Sequence, residues 1–142
     1  MNRLAKFVRL PIGEKFLLLR AWCLLATATA RLRILRHQWN RTWIEAVDDA
    51  GLPATDDAAQ KVAWAVTVVS PYVPCARCFS QALAARKLLR GMGYRSTVRI
   101  GVRKPSESEF QAHAWLECDG RIWVGAQFDE TASEKTPWAV LR

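Results

Sequence analysis

Beyond Pro11-Ile12-Gly13, Leu18, Leu19, Cys23, Ala26 and Ala30 recur every three or four positions, a spacing that predicts a helix over about 15–38. A polar interval follows. Asp48-Asp49-Ala50-Gly51-Leu52-Pro53 reads as a linker or turn, and Thr55 with Asp56 and Asp57 caps and charges a second helix that runs to about Val69. Ser70-Pro71 ends it. A third helix is predicted over about 78–90, closed by Gly91-Met92-Gly93, where a glycine can take the left-handed cap conformation.

The period then changes from helical to alternating. Val98, Ile100 and Val102 share one face of a strand over 95–102, and Ala112, Ala114, Leu116 and Cys118 share one face of a strand over 110–118. Arg103–Glu109, polar and proline-containing, reads as the loop between them. Asp119-Gly120 is a two-residue hairpin signal leading into a third strand over 121–125. Helices first and an antiparallel meander afterwards define an α+β arrangement, not a doubly wound sheet. One structural domain is expected, with 1–50 as a basic N-terminal helical segment packed on a core of 51–142.

Charge alters this picture at one end only. Of 21 basic and 13 acidic residues, nine Lys/Arg and the single acid Glu14 lie within 1–43, so the formal charge of +8 is entirely N-terminal. Such a segment could bind nucleic acid, a membrane surface or an acidic peptide. Its charges are not regularly interleaved with aromatic residues, and no nucleic-acid partner is expected. Peripheral membrane contact is compatible with it. The uncharged run Ala21–Ala30 resembles part of a signal peptide, but Arg20 precedes it and Arg31, Arg33 and Arg36 continue it as a basic helix. It is also shorter than the roughly 20 residues that cross hydrocarbon. Four irregularly spaced cysteines point to a reducing compartment, and a cytoplasmic protein is expected.

Thiol chemistry has one well-placed candidate. The start of a helix supplies aligned backbone N–H groups and a positive dipole end that favour a thiolate. Cys78 opens the third predicted helix, beside Arg77. As a bare fact, a free cysteine is more often a small buried residue; the histidines change that balance. His113 falls on a predicted strand with Gln111, Trp115 and Glu117, opposite the aliphatic face, where it can meet a helix start and act as a base for the thiol. His37 ends the basic helix beside Arg36 and reads as solvated. Cys118 points to the face opposite His113, and Cys23 sits in an apolar helical run. Cys75 is the competitor, because Cys75-Ala76-Arg77-Cys78 is a CxxC. Neither a second CxxC nor a His pair completes a zinc set, and no βαβ pattern supports a redox domain, so no metal or cofactor is expected. A reversible Cys75–Cys78 disulfide remains open to the chain.

Val73-Pro74, the run Cys78-Phe79-Ser80-Gln81-Ala82-Leu83, Leu88-Leu89-Arg90, Arg99-Ile100-Gly101-Val102 and Ala112–Glu117 resemble the transglutaminase-like B2 proteins of lasso peptide biosynthesis. That resemblance implies a papain/transglutaminase-like fold and a cysteine peptidase that removes the leader of a ribosomal precursor peptide before a lasso cyclase closes the ring. Cys78 takes the place of the nucleophile and His113 that of the base. It also implies a separate leader-recognition protein as partner, since no such module stands in this sequence.

The family further uses an Asp to orient the histidine. With Asp119-Gly120 as the turn, Cys118 pairs with Arg121 and His113 with Ala126, so Asp119 falls about 20 Å along the strand from His113 at ~3.4 Å per residue. Asp119 is then a turn residue, Asp129 is the assigned orienting residue, and Gln127 is its alternative, serving as an amide does in papain-like enzymes. Two other functions fit the same residues: an acyltransferase of the same fold, and a non-catalytic basic peptide-binding module in which Cys78 and His113 only pack.

Overall fold

The computed structural model describes residues 8–34, 51–125 and 139–140. Helix α1 spans Ile12–Ile34, three residues ahead of the predicted start, with Pro11 O accepting from the Glu14 and Lys15 N–H groups in its first turn. Residues 35–38 of the predicted helix, His37 among them, lie outside the described residues. Leu52–Pro53 forms a short strand β1. Helix α2 then runs Asp56–Val69, and Thr55 caps it as expected: its hydroxyl accepts from Ala58 N–H at 3.3 Å. Ser70–Tyr72 closes α2 as a single 3-10 turn around Pro71.

Helix α3 spans Cys78–Gly91, and Gly93, at φ +86°, turns the chain out of it. Tyr94–Arg95 (β2) pairs in parallel with β1. The main sheet contains β3 (Thr97–Ser106), β4 (Glu109–Cys118), β5 (Arg121–Val124) and β6 (Ala139–Val140), in the order β5-β4-β3-β6. Its pairings are all antiparallel. Among the described residues the result is an α+β fold of three α-helices and a small antiparallel sheet, the class the hydrophobic pattern predicts.

Two details differ from the expectation. The segment expected as a loop over Arg103–Glu109 is mostly strand: Arg103 pairs with Gln111 and Ser106 with Glu109, leaving a tight turn at residues 107–108. Its polar side chains do not prevent this, because the strand bonds run through the backbone; the Arg103 Nε to Gln111 Oε1 bond of 2.8 Å adds a side-chain rung. The hairpin at Asp119-Gly120 does form, with both residues at positive φ (47° and 80°) and Cys118 opposite Arg121. The ladder then slips, Glu117 facing Ile122 but Leu116 facing Val124. A bulge therefore overturns the one-to-one count that set His113 opposite Ala126.

One apolar cluster joins the layers. Leu17, Leu18, Ala21 and Leu25 of α1 meet Val62, Ala65, Val66 and Val69 of α2, Ala82, Ala85, Leu88 and Leu89 of α3, and Leu116, Cys118 and Val124 of the sheet. An exposed Arg121–Asp56 ion pair of 2.7 Å ties β5 to the start of α2. No helix among the described residues is long and apolar enough to cross a membrane.

Candidate active site

Cys78 is the first residue of α3, half-buried and free of disulfide. The turn ahead of it is held by Ser80, whose buried hydroxyl accepts from Arg77 N–H and donates to Arg77 O, both at 2.9 Å. These bonds fix the backbone on both sides of Cys78. The first N–H groups of any α-helix lack intrahelical partners, so those at Cys78 and Phe79 stand at the positive end of the α3 dipole.

The link from Gly91 to Thr97 is short, and α3 packs on both β3 and β4. A helix that hands over so tightly to a strand it packs against runs antiparallel to it. Ascending α3 from Gly91 to Cys78 covers about 20 Å at ~1.5 Å per residue, and six residues of β3 cover the same height at ~3.3 Å each. Counted from Thr97, the same height on β3 is reached near Arg103, which pairs with Gln111, two residues along β4 from His113. Leu88 and Leu89, near the other end of α3, share the core with Leu116 and Cys118 lower on β4.

His113 occupies the β4 face that alternation assigns it, with Trp115 and Glu117 and opposite the Leu116 face. Its ring stacks on Trp115, centroids 6.3 Å apart and planes 19° from parallel. Nε2 lies 2.7 Å from the Gly125 carbonyl oxygen. A carbonyl only accepts, so Nε2 carries the proton of that bond, and in the neutral ring Nδ1 is left as the basic nitrogen.

Gly125 is suited to this contact in a way no other residue would be. Its φ is +85°, and a Cβ there would sit 2.7 Å from Ala114 O and 3.1 Å from Trp115 Cα. Sequence reasoning overlooked this partner. A glycine just past a strand hints at a positive φ, but nothing in the sequence tells where its carbonyl points.

The remaining candidates separate. Asp119 sits in the hairpin, its carboxylate 3.4 Å from the Arg95 guanidinium, at the end of β4 away from His113. Asp129 and Gln127 lie outside the described residues. Cys118 is buried, and desolvation, helped by the Asp119 and Glu117 carboxylates, pushes its thiol up to about 11. It stays protonated and inert near neutrality. Cys75 is exposed at φ 63°, its Sγ 3.6 Å from the Arg33 guanidinium. That left-handed backbone is uncommon for a residue with a side chain.

An α+β core with a cysteine opening its central helix and a histidine on the adjacent sheet defines the class of thiol-dependent folds to which papain-like and transglutaminase-like proteins belong. The transglutaminase-like superfamily matches residues 21–139, and the chain belongs to that superfamily. Its members are typically cysteine-dependent enzymes, and the match is compatible with peptidase or acyltransferase chemistry. Comparison with curated proteins and with solved structures returns no match.

Proposed function

We propose that the protein is a cysteine peptidase that cleaves the leader from a ribosomally made lasso precursor peptide, with Cys78 as nucleophile and His113 as base. The observation that carries this reading is that Cys78 opens α3 in a chain of the transglutaminase-like superfamily whose His113 stands on the sheet α3 packs against, with Nε2 donating to Gly125 O. His113 Nδ1 takes the Cys78 proton, and the thiolate adds to the leader–core amide carbon. Backbone N–H groups at the start of α3 hold the oxyanion. The imidazolium then protonates the leaving amine, and water, deprotonated by the same ring, hydrolyses the thioester. Gly125 O and the Trp115 ring position the imidazole, and Asp129, with Gln127 as its alternative, shares the Nε2–H as a second acceptor. A leader-recognition protein delivers the precursor, and a lasso cyclase consumes the product.

Because α3 packs through Leu88 and Leu89 on the Leu116 face of β4, the reading requires the start of α3 to project far enough for the Cys78 thiol to reach the His113 ring. Incubation with candidate precursors and a recognition partner tests it by mass spectrometry. Cys78→Ala and His113→Ala abolish cleavage, each by about 10³-fold or more, and Asp129→Ala costs more than Asp119→Ala. Cleavage by Cys78→Ala at the native rate removes the nucleophile. A product carrying an amine in place of water reassigns the protein to acyl transfer.

A further inference from the structure

Helix α1 carries two apolar faces, and the core uses one. Leu17, Leu18, Ala21, Leu25 and Ala28 point inward and are buried. On the opposite side Ile12, Phe16, Leu19 and Cys23 follow one another at intervals of three or four residues, and Ile34 extends the same line. This second stripe is open: Ile12 is 85%, Phe16 61% and Leu19 58% exposed. Trp22 lies at its edge, 44% exposed. Single exposed apolar residues are ordinary, whereas a continuous stripe marks a docking surface.

The borders of the stripe identify what it meets. At about 100° per residue, Arg20 and Arg31 fall along one side and Lys15 and Arg33 along the other. Glu14, the one acid of α1, falls on the inward half. An apolar line flanked on both sides by long cationic side chains fits an anionic bilayer surface, with the apolar groups among the upper acyl chains and the basic groups at the headgroup phosphates. A second copy of the chain fits poorly, because stripe-to-stripe contact sets cationic borders against cationic borders. A peptide helix fits poorly as well: it is gripped by a groove, and α1 presents a ridge. The helix is 23 residues long, roughly 35 Å at ~1.5 Å per residue, so it offers a full-length contact lying in the membrane plane.

We infer that the outward face of α1 docks the protein peripherally on anionic phospholipid bilayers, holding the rest of the fold on the solvent side. The stripe contains neither Cys78 nor His113, although Arg33 at its far end reaches Cys75, and the inference stands without the peptidase reading. It is tested by co-sedimentation of the full chain with vesicles of phosphatidylcholine and phosphatidylglycerol, three to one, against phosphatidylcholine alone. The chain partitions onto the anionic vesicles, less so as salt rises. Phe16→Asp with Leu19→Asp lowers the partition coefficient about tenfold or more with unchanged circular dichroism. Ile12→Ser, at a position with almost no packing to lose, lowers it in the same direction if the double variant is poorly folded. Failure to bind anionic vesicles at low salt overturns the inference, as does binding undiminished by Ile12→Ser. A concentration-dependent dimer abolished by Phe16→Asp, or capture of an acidic peptide without vesicle binding, reassigns the stripe and also overturns it.

Discussion

At the scale of single residues, the account turns on a carbonyl oxygen. Gly125 holds His113 through its backbone, and the space around its Cα admits no side chain. Gly125→Ala must rotate φ away from +85° or push on Ala114 O, and either moves the acceptor off Nε2. In the proposed dyad this lowers kcat by about 10²-fold with little change in KM, the signature of a displaced base; steady-state kinetics separates the two constants. An unchanged kcat removes Gly125 from the positioning of His113. Cys118 supplies a pH prediction of definite sign. Its folded thiol is pushed up to about 11 from an ordinary 9.0, so the folded state holds the proton longer than the unfolded chain does. The stabilisation is complete below pH 9.0 and is lost as pH rises through about 11. Denaturant midpoints should therefore fall over that window for the native chain relative to Cys118→Ala, which lacks the titrating group. Parallel curves would show that the thiol is not desolvated.

At the scale of elements, local signals in the sequence carried most of the architecture. Thr55 with two following aspartates starts α2, and Asp119-Gly120 makes the hairpin, because capping and two-residue turns are decided by adjacent residues. Arg103–Ser106 was hidden because a solvent-facing strand needs no apolar alternation; its pairing with Glu109–Gln111 is written in the backbone. The bulge at Leu116/Glu117 had no sequence signal either, and the one-to-one strand count fails beyond it. The places of Cys78 and His113 in the fold were legible because one opens a helix and the other has a definite strand face. Helix α1 was legible as a helix but not as a two-faced one, since an apolar face on each side blurs the period that marks the core face. Its inward face is integral to the fold: Leu25 is fully buried against α2 and α3. Leu25→Ala should cost about 2–5 kcal/mol of unfolding free energy, measured by urea titration. A loss below about 1 kcal/mol would mean that α1 is an appendage, not part of the core.

At the scale of the whole molecule, the fold divides its labour between two surfaces. Cys78 opens α3 and His113 stands on the sheet that α3 packs against, while the outward face of α1 carries an apolar ridge with cationic borders. Membership of the transglutaminase-like superfamily accounts for the first surface; the charge pattern within 1–43 accounts for the second. The central claim is that Cys78 is a nucleophile served by His113, and thiol labelling tests it without any knowledge of the substrate. With a limiting amount of iodoacetamide at neutral pH, peptide mapping by mass spectrometry should find Cys78 modified ahead of Cys23 and Cys75, with Cys118 untouched, and His113→Ala should slow the Cys78 reaction about tenfold or more. Labelling of Cys78 at the pace of Cys23, or at a rate indifferent to His113→Ala, would contradict the account.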